Sequence, residues 1–142
     1  LTSCPICQKH QDLNEAIYED QDWIVTHGPV ASQVLGYLYI EPKRHVENWS
    51  EFTDQELSAV GPLIKKLEAA VKKELSVDRM YVVTISEAVR HLHFHLIPRL
   101  HDQEIKGLPL IEQATQQKTK ESHKMTEQNL NLFIKNVRST LS

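Results

Sequence analysis

His91-Leu92-His93-Phe94-His95-Leu96-Ile97-Pro98-Arg99 decides the reading of this chain. Side chains of a strand alternate faces, so the alternation sets His91, His93 and His95 on one face and Leu92, Phe94 and Leu96 on the other. A rise of ~3.3 Å per residue spaces the imidazoles roughly 6.5 Å apart at the backbone. That spacing suits a row holding a metal, a phosphate, or a base beside a nucleophile.

The preceding chain supplies partners for such a strand. Met80-Tyr81-Val82-Val83-Thr84-Ile85 is rich in β-branched and aromatic residues, and only residues 86–90 separate it from the histidine row. A connection of that length predicts an antiparallel hairpin. Ile17-Tyr18-Glu19, Trp23-Ile24-Val25-Thr26 and Gly36-Tyr37-Leu38-Tyr39-Ile40-Glu41 read as three earlier strands, punctuated by Asp20-Gln21-Asp22, Gly28-Pro29 and Pro42. A helix then begins at Thr53, which caps it. Glu56 completes a capping box and Phe52 can staple onto Leu57. Its apolar stripe reads Leu57, Val60, Ile64, Leu67, Val71, with a kink expected at Gly61-Pro62. Strands, one long helix and a closing hairpin indicate an α+β domain on a five-stranded antiparallel sheet. It spans residues 1–100. Residues 101–125 read as a polar connection, loosest over 112–124. A C-terminal amphipathic helix, 126–142, capped by Thr126 and carrying Leu130, Phe133, Ile134, Val137 and Leu141, packs back on the same domain.

At 142 residues the chain buries a real core as one domain. Sixteen basic against nineteen acidic residues leave a net charge of −3, which excludes a broad nucleic-acid-binding field. No stretch reaches the ~20 apolar residues of a membrane span. The start, Leu1-Thr2-Ser3-Cys4-Pro5, has neither the features of a secretory signal nor a Met, which predicts a trimmed start and a cytoplasmic protein.

The two cysteines sit in Cys4-Pro5-Ile6-Cys7, too few and too close for a disulfide framework. A metal pair, a redox pair and two small buried residues are the alternatives. No βαβ pattern follows to favour redox. A structural zinc needs four N or S ligands, so two would have to be histidines, and His10 is the nearest in sequence. His45 closes the third strand beside Lys43 and Arg44, which could serve a phosphate. His27 ends the second strand where edge residues face clefts. His101 and His123 lie in polar, surface-like surroundings.

The row His91-x-His93-x-His95-Leu96-Ile97-Pro98-Arg99, the upstream Gly36-Tyr37-Leu38-Tyr39-Ile40-Glu41-Pro42-Lys43-Arg44-His45 and the N-terminal CxxC together resemble the histidine triad (HIT) family over residues 4–100. The resemblance implies an α+β homodimer that hydrolyses or transfers nucleotides. It implies attack by His93 at the α-phosphorus of a dinucleoside polyphosphate or phosphoramidate, through a nucleotidyl-histidine, with His95 assisting. It further implies a structural zinc on Cys4, Cys7, His45 and His91, and ligand contacts by His27, Ser86 and Arg99. Two features depart from the family pattern: the loop 86–90 lacks Gln, and the residue that takes the ribose hydroxyls is missing, with His27 nearest its place. A zinc-stabilised nucleotide-binding or regulatory protein with little turnover is the alternative.

Overall fold

The structure, a computed structural model, describes residues 3–12, 16–117 and 125–142, so His123 and residues 118–124 of the polar stretch lie outside it. Five antiparallel strands form one sheet: β1 (Tyr18–Glu19), β2 (Trp23–His27), β3 (Leu38–Pro42), β4 (Val77–Val83) and β5 (Phe94–Leu100), in the spatial order β1-β2-β3-β5-β4. The last strand is therefore interior, between β3 and the edge strand β4. Its register pairs Tyr39 with His95 and Ile40 with Phe94 on one side, and Val83 with His95 on the other.

Helix α1 (Pro5–Lys9) precedes the sheet and α2 (Asp54–Glu74) joins β3 to β4. Thr53 caps α2 as expected: its hydroxyl accepts the Glu56 N–H, and the Glu56 carboxylate accepts the Thr53 N–H at 2.8 Å. The helix continues through Pro62, whose position is exposed, rather than stopping there. Its buried face is Val60, Leu63, Leu67, Ala70 and Val71, whereas Leu57 is exposed. The apolar stripe is thus rotated toward Leu63 and Ala70 relative to the predicted one. It packs on Trp23, Val25, Leu38, Ile40, Phe94 and Leu96, the inward residues of β2, β3 and β5. Fully buried Trp23 keeps its polar atom satisfied by donating from Nε1 to the Glu56 carbonyl at 3.0 Å.

Beyond β5, the expected connection contains a helix, α3 (Leu108–Gln116). Leu110 and Ala114, one turn apart, pack with Tyr37 and Ile97 on the opposite sheet face. Helix α4 (Glu127–Leu141) is capped by Thr126 and buries Leu130, Phe133 and Val137, the last two in the core shared with α2. Among the described residues no helix is long and apolar enough to cross a membrane.

The three histidines do not share one strand. β5 begins at Phe94, so His95 alone lies in it. The lead-in is turned by two bonds that a paired strand would not make: the Leu92 N–H donates to the Val46 carbonyl at 2.6 Å, and the His91 ring reaches the Pro42 carbonyl at 2.8 Å. His91 is buried into the protein while His93 and His95 stay together, with ring centroids 4.9 Å apart.

Candidate active and metal site

His93 is held by its own neighbourhood. Its Nδ1 lies 2.7 Å from the His91 carbonyl, and a carbonyl can only accept, so Nδ1 carries the proton. Nε2 keeps its lone pair, the form in which an imidazole is a nucleophile. The Ser86 hydroxyl accepts the His93 backbone N–H at 3.1 Å and sits 3.2 Å from Nδ1. Ser86 itself adopts φ 55°, a left-handed conformation that a residue with a Cβ rarely takes, and one that sites often retain. The Thr84 hydroxyl donates to the His93 carbonyl at 2.6 Å and fixes the peptide.

His95 is set the other way. The Tyr37 hydroxyl is 2.6 Å from His95 Nδ1. Burial pushes the Tyr37 phenol well above its usual range, so it stays protonated. Burial, then the neighbouring His93, pushes the His95 imidazole down to about 4, so it stays neutral. Phenol is the better donor and imidazole nitrogen the better acceptor, so Tyr37 donates to Nδ1 and His95 carries its proton on Nε2. The two rings thus present a lone pair and an N–H side by side.

A second cluster stands behind His93. The ligand atoms of Cys4, Cys7, His45 and His91 all lie within 4.8 Å of one another. Cys4 Sγ and Cys7 Sγ are each 3.5 Å from His91 Nδ1, and Cys7 Sγ is 3.4 Å from His45 Nδ1. Tetrahedral zinc, with Zn–S of ~2.3 Å and Zn–N of ~2.0–2.1 Å, requires S···N edges of about 3.6 Å. The far ring nitrogens are already occupied: His91 Nε2–H donates to the Pro42 carbonyl and His45 Nε2 meets Glu47 at 3.2 Å. Such outer bonds aim the Nδ1 lone pairs inward. Burial lowers the His91 pKa, holding that ring in the neutral form a metal needs. The residues present fit a structural zinc. His10, the nearest alternative in sequence, is turned away to Glu41 at 3.0 Å.

His93 and His95 open on a cleft of about 440 Å³, walled by Pro5, Ile6, Ile85 and Val89 and floored by Tyr39 and Glu41. Ser86 lines it, as does Glu87. The remaining sequence-predicted contacts are elsewhere. His27 pairs with Leu38, so it faces the helices; it is Thr26, paired with Tyr39, that faces the cleft side. Both His27 nitrogens are engaged, with Gly28 and Gly36. Arg99 lies four residues along β5 from His95, about 13 Å at strand rise, and its guanidinium pairs with Asp78. Lys43 and Arg44 are paired with Glu19 and Glu56 and do not line the cleft. His101 is exposed beside Asp78. Sequence reasoning missed Lys9, Tyr37, Tyr39 and Glu41, although the last three form their own alternating row from the residue before β3 into the strand.

An open antiparallel sheet backed by one long helix, with paired imidazoles over a ligand-sized cleft and a Cys/His cluster behind them, defines a class of small α+β domains. Residues 9–102 match the HIT domain, and the chain belongs to the HIT family. An uncharacterized HIT-like protein of Methanocaldococcus jannaschii is 30% identical over 90 residues, 60% of this chain and 68% of that protein. An adenosine 5'-monophosphoramidase of Schizosaccharomyces pombe is 28% identical over 75 residues, 52% of this chain and 56% of the enzyme. Among such relatives the chain spans about half of the length of several. A zinc-bound histidine triad family protein from Mycobacterium smegmatis has the same fold, with a TM-score of 0.70 at 16% identity, covering 99% of this chain and 94% of that one.

Proposed function

We propose that the chain is a nucleotide hydrolase or nucleotidyl transferase that cleaves a phosphoanhydride or phosphoramidate bond at the α-phosphorus of a nucleotide, such as a dinucleoside polyphosphate. The observation that carries this is the His93 tautomer: Nδ1–H held by the His91 carbonyl leaves Nε2 as a free lone pair at the cleft. Nε2 attacks phosphorus, the bond to the leaving group breaks with its electron pair, and a nucleotidyl-histidine forms. The ring becomes cationic at that moment, and its bond to the His91 carbonyl becomes charge-assisted. His95, kept neutral, does not transfer its proton; its Nε2–H donates to a non-bridging phosphate oxygen, with the Ser86 hydroxyl as a further contact. A departing phosphate leaves as its anion, while an amine takes a proton from solvent. Water then attacks the phosphorus and releases the nucleotide and neutral His93. The similarity to a monophosphoramidase supports the chemistry.

Cys4, Cys7, His45 and His91 would hold a structural zinc, which supplies a cross-link between the N-terminus and the segment presenting His93. Thiolate ligands suit a reducing compartment, the cytoplasm. Assembly as a homodimer belongs to the same proposal.

Mass spectrometry of quenched reactions with an adenosine phosphoramidate and a diadenosine polyphosphate tests the mechanism. A nucleotide-mass adduct is expected on His93 alone. His93→Ala abolishes turnover with the fold intact, and His95→Ala costs about 10²–10³-fold, the worth of one positioned donor. Nucleotide binding with neither adduct nor turnover would instead establish the binding-protein alternative.

A further inference from the structure

Lys9 closes the five-residue helix α1, two positions after Cys7. Its ammonium is fixed from three directions. It bonds Glu41 Oε2 at 2.7 Å, contacts Thr26 Oγ1 at 3.4 Å and stands 4.9 Å above the Tyr39 ring. The Tyr39 ring is in turn 5.5 Å from the His95 ring and 6.4 Å from the His93 ring. Lys9 is therefore on the cleft floor, across one aromatic ring from the imidazole pair.

The arrangement is costly unless it is used. The Glu41 side chain is 2% exposed. Burial by itself raises a carboxyl pKa; His10 and Lys9 outweigh it and hold Glu41 ionised. A buried carboxylate that anchors a lysine beside a cleft immobilises an otherwise flexible ammonium. Two of its three N–H bonds have oxygen partners among the described residues, and beyond the face of the Tyr39 ring the third has no oxygen partner among them, so a ligand oxygen can take it. Lys9 is also the single formal cation among the described residues lining the cleft, where Glu41 and Glu87 are the anions. Among the described residues lining the cleft, Lys9 is therefore the one formal cation that an anionic ligand reaching past His93 meets.

We propose that Lys9 is a substrate-binding residue: its ammonium, held by Glu41 and Tyr39, takes an oxygen of a second phosphoryl group when the first is at His93. This rests on the function proposed above. It sets the preferred substrate class as phosphoanhydrides, which carry such a group, over phosphoramidates of a nucleoside monophosphate, which do not. It also gives α1 a second role. The helix that brings two cysteines to the metal cluster brings the phosphate-binding cation to the cleft.

The test uses the full, zinc-loaded chain and three variants, Lys9→Gln, Lys9→Arg and the double variant K9Q/E41Q, which replaces the buried charge pair by a neutral one. Zinc content and thermal unfolding check that each is folded. For Lys9→Gln, kcat/KM for diadenosine tetraphosphate should fall on the order of tenfold more than kcat/KM for adenosine phosphoramidate, expressed mainly in KM. Lys9→Arg should recover most of the difference. Equal losses on both substrates, or none on the polyphosphate, would overturn the proposal. Titration calorimetry with inorganic triphosphate separates this from failure of the proposed chemistry, since it needs no turnover. Binding should survive His93→Ala and weaken about tenfold in Lys9→Gln and in the double variant. Wild type that ignores triphosphate, or Lys9→Gln that binds it equally, sinks the role of Lys9 whatever His93 does.

Discussion

His27 offers a measurement that separates its structural role from the ligand contact its place in the sequence suggested. Its Nδ1–H donates to the Gly28 carbonyl at 2.8 Å, and its Nε2 accepts the Gly36 N–H at 2.9 Å. Gly36 is at φ 89°, and a Cβ there would stand 2.8 Å from Leu75, so the bond comes from a backbone position that only glycine suits. The ring lies edge-on to Phe133 at 5.7 Å. Protonating Nε2 would set a second N–H against the Gly36 N–H in an enclosed site. Burial accordingly pushes the His27 pKa down to about 4, with the Gly28 carbonyl opposing. Glu127 and Arg138 line the adjoining hollow with opposite charges, so neither sets the direction alone. The unfolded chain takes up this proton below ~6.5 and the folded chain does not until about 4. Stability is therefore complete above pH 6.5 and lost as pH falls toward 4, by about 2 kcal/mol at pH 5 and about 3 kcal/mol at the bottom of the window. Urea unfolding at pH 7.5 and 5.0 measures it. His27→Gln should be weaker at pH 7.5 by about 1–2 kcal/mol for its lost bonds, yet lose about 2 kcal/mol less than wild type on going to pH 5. Equal acid losses in the two proteins would refute the neutral, doubly bonded His27.

Tyr37→Phe should leave the fold in place but free His95 Nδ1, lowering kcat about tenfold for one lost hydrogen bond. Imidazole 15N shifts should show His95 passing from one tautomer to a mixture; an unchanged tautomer with unchanged kcat excludes the positioning role. Protein prepared with zinc and without a histidine tag should hold close to one equivalent, and Cys7→Ser should release it and lower Tm, because metal binding contributes folding free energy directly. Metal-empty wild type after refolding with zinc would rule out the four-residue site.

Local pattern carried much of this molecule. The β-branched and aromatic runs marked all five strands to within a few residues, and Thr53 with Glu56 marked the start of α2. The two thiols of the CxxC were readable as one alternative for a metal site, whereas the choice of His45 and His91 among eight histidines came from the family resemblance, since the closest in sequence is His10. What escaped was parity and pairing. Alternation assigns a side chain to a face only while the strand stays paired. The bonds of Leu92 to Val46 and of His91 to Pro42 end that pairing just where the histidine row begins. His27 shows the reverse: one step along β2, from Thr26 to His27, crosses from the cleft to the helices, and only the pairing with β3 says which is which. Helix α3 was missed because it is only nine residues long, its second half runs into the polar stretch, and its hold on the sheet rests on Leu110 and Ala114.

The cleft itself is two alternating rows brought together. Tyr37, Tyr39 and Glu41 alternate from the residue before β3 into the strand, as His93 and His95 do across the start of β5, and the register sets Tyr39 opposite His95. The histidines stood out because their chemistry is rare in a solvated strand face, whereas two tyrosines and a glutamate are ordinary in one. Pairing changes their meaning. Beside an imidazole Tyr37 becomes the group that fixes a tautomer, and under a cleft Glu41 becomes the anchor of an ammonium. In the alternating strands of such a domain, the residues that tune a reactive side chain lie on the neighbouring strand at matching parity. They become recognisable once the register is known.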